Sequence, residues 1–475
     1  MMWRRYALIG GAVAVNAWLW AVPSNVVELV ARDRQTLLGR YSREHFTWII
    51  VAFVASGVAM YVHLAPRHKR RRRWFQVVAA LLALAPTLVI ADALLRRPQR
   101  VWYVHDSPAY HRVPNDEFSV EFVDRPLAAR SYPIVRPGHP PVTCRYRTDN
   151  WGFRNRDKRD RYEIVAVGDS FTEGSGVSDD DAWPVRLAET RGRSVYNLGM
   201  SGYAPLNYLA AIETYGLTLR PAVVLCMVYE GNDFRSDDDD PAIGEPEWGD
   251  RLDRYVRQSP IRNAMDDWMI RTFAPIGAKR EMPVLEVLAW LPIGIPEGPD
   301  ARYYAFAPKQ ILQASSDADE FRRSPHWTAV ADILGRMKRS CGDGGAQLVI
   351  VHAPTKAGVT LPLVRDRLPA DDVRAFAALR AESLPAGDRF MELLFERLPA
   401  RENVVRQWAA ENEIAFVSTT DALRRAAADG EQVYYTYDQH WTPVGHAVVA
   451  DTIHRFLVEQ NGPDGAATAA ATLPD

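Results

Sequence analysis

Ser170, His440, Asp438 and Asn232 are the residues whose types and settings suggest chemistry. Ser170 closes the run Gly168-Asp169-Ser170, directly after the apolar stretch Ile164–Val167, and Gly174 follows shortly. An apolar run that ends in a small residue, an acid and a serine reads as a buried strand delivering a side chain to the edge of a sheet. A serine so placed is a nucleophile when a histidine reaches it. The chain offers His440, in Asp438-Gln439-His440-Trp441-Thr442-Pro443. Between the two, Gly231-Asn232-Asp233 follows a second apolar run, Ala222–Tyr229.

The elements that must position these residues read as an α/β pattern. Strands are expected at Ile164–Val167, Ser194–Asn197, Ala222–Tyr229, Ala346–His352 and Glu413–Ser418. Helices are expected near Trp183–Thr190, Leu206–Tyr215, Thr328–Arg339, Asp421–Ala428 and Val444–Glu459. Such alternation predicts a parallel sheet with helices on both faces, whose functional groups gather at the carboxyl ends of its strands. This domain is placed at 161–460, with insertions near 235–322 and 355–405. Residues 101–160, rich in Pro, Arg and aromatics, read as a strand-and-loop lead-in. The Asp237–Asp240 run is a solvated acidic loop, because the glycine-spaced ligand pattern of a calcium site does not follow it. Residues 461–475 have little to bury and are expected to form a disordered tail.

Charge is divided. Residues 1–100 hold fifteen Lys and Arg against four Asp and Glu, a surplus of +11, so the rest carries −13 to reach the total of −2. An acidic globular part argues against a nucleic-acid partner. Three apolar stretches, near Tyr6–Val22, Phe46–Leu64 and Trp74–Leu95, approach the ~20 residues that cross a bilayer. Residues 1–100 are therefore expected to be a membrane region with three transmembrane helices, anchored in the cell (cytoplasmic) membrane. The six cations Arg67, Lys69 and Arg70–Arg73 should stay in the cytoplasm, which places everything after Arg100 outside it. A cleaved signal peptide over the first stretch is the other reading, and gives the same final topology. The basic loop with Arg32, Arg34, Arg40 and Arg43 weakens the charge asymmetry without reversing it. The three cysteines form neither a disulfide scaffold nor a metal-ligand pattern. Cys226 reads as core. A Cys144–Cys341 bridge in an oxidising compartment is the minority reading.

Four blocks in order resemble the SGNH, or GDSL, hydrolase family: Gly168-Asp169-Ser170, Asn197-Leu198-Gly199-Met200-Ser201-Gly202, Gly231-Asn232-Asp233 and Asp438-Gln439-His440-Trp441. Asp149-Asn150-Trp151-Gly152-Phe153-Arg154 resembles the lead-in of membrane-anchored bacterial members. The resemblance implies flavodoxin-like layering and a serine esterase without metal or cofactor. Ser170 would be the nucleophile, His440 the base, and Asp438 the group that orients His440. The backbone N–H groups of Ser170 and Gly202 and the amide of Asn232 would receive the oxyanion. Gly199 competes with Gly202 for that role. The common family pattern has its acid three residues before the histidine, where this chain has Tyr437. The Asp-x-His-Trp spacing resembles instead the branch that includes alginate O-acetyltransferases, and a backbone carbonyl is the alternative orienting group. Asp233 reads as a turn cap, His446 as a helix face packed near the site, Trp441 as core or pocket wall, and Ser175 and Ser201 as loop hydroxyls. The implied function is an esterase acting on O-acyl, chiefly O-acetyl, esters of envelope or exported glycans. The alternatives are an O-acyltransferase that passes the acyl group to a glycan hydroxyl, and a non-catalytic glycan-binding or assembly protein. The expected partner is thus an acylated glycan or another ester.

Overall fold

The computed structural model describes residues 2–23, 26–27, 37–38, 40–95, 103–104, 109–125, 136–156, 159–234, 259–273, 291–378, 381 and 383–470. They fall into two compact units, one of residues 1–100, 130–132 and 244–288, the other of 101–129, 133–243 and 289–475. Arg32, Arg34, Asp237–Asp240 and 471–475 lie outside the described residues.

The first unit contains helices Met2–Ala21, Arg43–His63 and Arg67–Leu95. The last two are long and apolar enough to cross a membrane, whereas the apolar part of the first is the shorter Tyr6–Ala21. Three equivalent spans were expected. Two are long enough, because Arg4 and Arg5 occupy the opening turn of the first helix and shorten its apolar run. Two polar side chains here find partners within the unit: Asn16 Nδ2 donates to Ser56 Oγ at 2.9 Å, and His45 Nε2 bonds Leu19 O at 2.8 Å. Asp92, the acid inside the third apolar stretch, accepts from the Ser259 hydroxyl and from Ile261 N–H at 3.3 Å. It therefore caps helix Pro260–Phe273, so part of the 235–322 insertion belongs with this unit.

The second unit opens with short antiparallel pairs, β1 (Tyr103–Val104) with β2 (His111–Arg112), and β3 (Glu117–Phe122) with β4 (Val142–Arg147). Its centre is a five-stranded parallel sheet of β5 (Ile164–Val167), β6 (Val195–Asn197), β7 (Val223–Tyr229), β10 (Gln347–Ala353) and β11 (Ala415–Ser418), ordered β11-β10-β7-β5-β6. The antiparallel pair β8 (Leu291–Ile295) and β9 (Arg302–Phe306) comes from the insertion. Strand alternation divides the core. Ile164, Ala166, Leu225, Met227, Val349 and Val351 enter one hydrophobic cluster, while Val165, Val167, Val224, Cys226, Leu348 and Ile350 enter the other. Burial on both faces is why these strands read as unbroken apolar runs. The strand order reverses between β5 and β7, the switch point where α/β sheets place ligands.

The minority reading of a Cys144–Cys341 bridge falls. All three cysteines are free: Cys144 packs with Phe118 and Tyr146, while Cys341 lies in the helix Pro325–Asp343. The final helix runs Pro443–Ala470.

Candidate active site

β5 ends at Val167, and a short helical turn, Ser170–Glu173, begins three residues later. Asp169 caps that turn by accepting Phe171 N–H at 2.9 Å, and Ser170 is its first residue. The turn is held from the lead-in. Asp149 accepts Trp151 and Phe153 N–H at 2.9 and 3.1 Å, shaping the loop that carries Arg154. Arg154, buried, donates to Glu173 O at 3.1 Å, Val177 O at 2.6 Å and Gly174 O, and pairs with Asp179. The Asp149–Arg154 motif thus braces the segment after Ser170.

His440 approaches from the loop before the final helix. Its Nε2 lies 2.7 Å from Ser170 Oγ and its Nδ1 lies 2.6 Å from Asp438 Oδ1. The same Oδ1 accepts His440 backbone N–H at 2.8 Å. That second bond folds the chain back on itself, so an acid only two residues ahead of its histidine reaches the ring. Tyr437, at the commoner acid position, turns away and donates its hydroxyl to Arg136 O at 2.6 Å. Beneath the ring, Phe171 stacks on Tyr229 and meets Trp441 edge-on.

The charges are set by these contacts. Burial pushes Asp438 upward, but the charge and hydrogen bonds of His440, with Lys356 behind, outweigh it and hold the carboxyl at about 2. Burial pushes His440 down, yet Asp438, with Asp169 and Glu173 farther off, raises it above its ordinary value. Burial raises Asp169, partly offset by Phe171 N–H and the Asn232 amide.

Asn232 follows β7, on a loop tied by Gln313 Nε2 to Glu230 O and Gly231 O at 3.1 and 3.0 Å. Its Nδ2 donates to Asp169 Oδ2 at 3.0 Å. Of the two glycine candidates, Gly199 is buried and its N–H is engaged by Asn197 Oδ1 at 2.8 Å. Gly202 is exposed, with φ +84°, a left-handed conformation that suits glycine. Asp233 accepts Tyr229 N–H at 2.7 Å and Tyr208 hydroxyl at 2.8 Å, as a cap. His446 is buried, accepts Trp183 N–H at 3.3 Å and is pushed far down by burial. Ser175 and Ser201 bond each other at 2.7 Å over Glu173, which also pairs with Arg112.

Sequence reasoning missed Arg112, Glu173, Gln313, Asp124 and Lys356. The one signal was Lys356, a charge at the carboxyl end of an apolar strand.

A serine, histidine and aspartate hydrogen-bonded in line at the switch point of a parallel sheet is the arrangement found in serine hydrolases. The chain belongs to the GDSL-like lipase/acylhydrolase family, whose model matches residues 166–448, more than half of its length. It is therefore an ester-bond hydrolase by family. No curated protein matches it. Solved structures similar to it include the acetylxylan esterase Axe2 of Geobacillus stearothermophilus (13% identity, 62% of this chain and 93% of that chain, TM-score 0.30). A lipase/acylhydrolase of Enterococcus faecalis (13%, 62% and 95%, 0.29) and a GDSL-like lipase of Bacteroides thetaiotaomicron (12%, 62% and 88%, 0.27) are others. At these identities and scores they add nothing to the family match.

Proposed function

We propose that the protein is a membrane-anchored serine esterase that removes O-acyl groups, chiefly O-acetyl, from envelope or exported glycans outside the cytoplasm. The observation that carries the mechanism is the run Ser170–His440–Asp438, with contacts of 2.7 and 2.6 Å. Ser170 Oγ attacks the ester carbonyl while His440 Nε2 takes its proton. His440 then returns that proton to the departing alcohol, leaving an acyl-serine. Water, deprotonated by His440, releases the carboxylic acid and restores Ser170. Asp438 keeps the Nδ1 proton in place and stabilises the imidazolium.

Asn232 spends one amide N–H on Asp169. Its other N–H, with the backbone N–H groups of Ser170 and Gly202, is proposed to receive the oxyanion.

The placement rests on the helices of the first unit. With Arg67–Arg73 retained in the cytoplasm, helix Arg67–Leu95 exports all that follows, whether or not the first helix spans. At ~1.5 Å per residue, Tyr6–Ala21 reaches about 24 Å, short of a ~30 Å hydrocarbon core. Local bilayer thinning accommodates that difference. The glycan substrate is proposed from this location.

The Asp438-x-His440 spacing favours a second reading, transfer of the acyl group to a sugar hydroxyl instead of water. The full-length protein in detergent, given 4-nitrophenyl acetate with and without an oligosaccharide, tests both. Acetate release alone supports hydrolysis, and acetylated sugar supports transfer. No turnover in either arm leaves a binding protein.

A further inference from the structure

The turn that carries Asp438 is gripped on both sides by buried charges. On one side, Asp124, 5% exposed, accepts three consecutive amides: Thr436 N–H at 2.7 Å on Oδ2, then Tyr437 and Asp438 N–H at 3.0 and 3.2 Å on Oδ1. On the other, the Lys356 ammonium, 1% exposed, donates to Tyr435 O, Thr436 O and Asp438 O at 3.1, 2.7 and 3.0 Å. Between them the two side chains hold six backbone groups of residues 435–438.

Burying two charges is costly unless each is paired and fully hydrogen-bonded. Both are. An ammonium has three N–H donors, and all three of Lys356 are taken by carbonyls, which leaves none for a ligand. Asp124 also accepts His139 N–H at 2.8 Å. Asp124 precedes the family-matched region, whereas Lys356 stands at the carboxyl end of β10. A turn that must return an acid to a histidine two residues on has little slack. A displacement of the Asp438 main chain moves its carboxylate off Nδ1.

We propose that Asp124 and Lys356 are positioning residues: they clamp the 435–438 backbone and so hold Asp438 on His440 Nδ1. Lys356 also acts through its charge. Burial lowers it to about 8, against the pull of Asp124 and Asp438, so it is protonated at neutral pH and helps keep Asp438 ionised. The charged groups facing His440 are Asp438, Asp169 and Glu173. Withdrawal of Asp438 leaves the other two in place, so the histidine falls part of the way.

This inference rests on the reading of Ser170 as nucleophile. The test uses the full chain in detergent with 4-nitrophenyl acetate across pH. Asp124→Asn and Lys356→Gln are expected to lose about 10²-fold in kcat, the scale of a catalytic group displaced by ~1 Å, with KM within about twofold. The acid limb of kcat/KM should move to lower pH as His440 loses Asp438. Asp124→Glu, which restores the carboxylate, should recover part of kcat and of the limb. Folded variants with a lower Tm but wild-type kcat and acid limb would overturn the clamp and leave a structural role only. Should both fail to fold, Asp124→Glu carries the test, because it keeps the charge while displacing by one methylene the carboxylate that holds the turn. A downward limb then supports the clamp, and an unmoved limb refutes it. Ser170→Ala separates the two failures: if it retains activity, the nucleophile reading falls. If it is inactive while the clamp variants are normal, only the clamp falls.

Discussion

Asp438→Ala is the substitution that tests how the site is built, because two separable terms are lost. The first is electrostatic. Asp438 sits at about 2 against its ordinary 3.8, a gap of about 2.4 kcal/mol at ~1.36 kcal/mol per unit. Its side chain is 36% exposed, and solvent screening reduces that figure to about 1–2 kcal/mol, roughly tenfold in rate. The second is geometric. The ring loses its 2.6 Å bond and the turn loses its 2.8 Å bond to the same oxygen. A base free to wander by ~1 Å costs about 10². Together they predict a loss of about 10³ in kcat, well short of the ~10⁶ expected for removing the nucleophile. The assay is 4-nitrophenyl acetate hydrolysis as a function of pH. Asp438 raises His440, so the acid limb of kcat/KM should also move to lower pH in the variant. A variant within threefold of wild type, with its acid limb unmoved, would refute the reasoning and return the orienting role to a backbone carbonyl. A loss equal to that of Ser170→Ala would make the acid inseparable from the nucleophile.

Asn232→Ala should lower kcat by ~10²–10³ with KM little changed, the signature of a lost oxyanion donor; normal kcat would make Asn232 a tether for Asp169 alone. Ser170→Ala and His440→Ala should each abolish turnover, and the double variant should be barely worse than either; additive losses would mean independent roles. Glu230 is fully buried and burial raises it to about 7, against Arg401 and Thr355 N–H. A raised carboxyl contributes stability that is present below its ordinary 4.5 and lost as pH rises through 7. Glu230→Gln should therefore raise Tm at pH 8 and leave it near wild type at pH 4; an equal shift at both would refute the titration. A phosphatase reporter that works only outside the cytoplasm, fused after Asp475, should be active, and one inserted at Arg70 silent; the reverse pattern would overturn the orientation.

The sheet was legible because its inner strands β5, β7 and β10 are buried on both faces. Val223–Tyr229 and Gln347–Ala353 are apolar at nearly every position, and their ends fall within one residue of the expectation. The residues the structure brings together at the carboxyl edge were legible for a related reason: Ser170 and Asn232 interrupt apolar runs abruptly. What could not be read were side chains whose partners are backbone. Asp124, Lys356 and Arg154 bind main-chain groups, and peptide N–H and C=O groups are identical along a sequence. The same holds for Asp92, an acid in an apolar stretch that caps a helix far along the chain. The reach of Asp438 was hidden for another reason. It depends on one oxygen serving both the ring and the main chain of His440, a geometry that spacing alone does not encode.

The lead-in is where the site departs most from a sheet with loops. β5 and β7 deliver Ser170 and Asn232 directly, since both follow strand ends at the switch point. His440 and Asp438 have no strand behind them; they stand in the loop between the helix Thr420–Ala428 and the final helix. Loops are ordinarily the mobile part of a fold, and a base must be held to a fraction of an ångström. The chain meets that demand with residues ahead of the family-matched region: Asp124 on the acid's turn, Arg154 on the serine's turn and Arg112 on Glu173 beneath Ser201. Each of the three makes a charge-assisted hydrogen bond in a buried setting, where such bonds are strongest. A truncation beginning at residue 160 would keep every candidate active-site residue and lose all three braces. It is therefore expected to retain the sheet while losing most of its turnover. Full activity from that fragment would show that the sheet and its own loops suffice to hold the histidine.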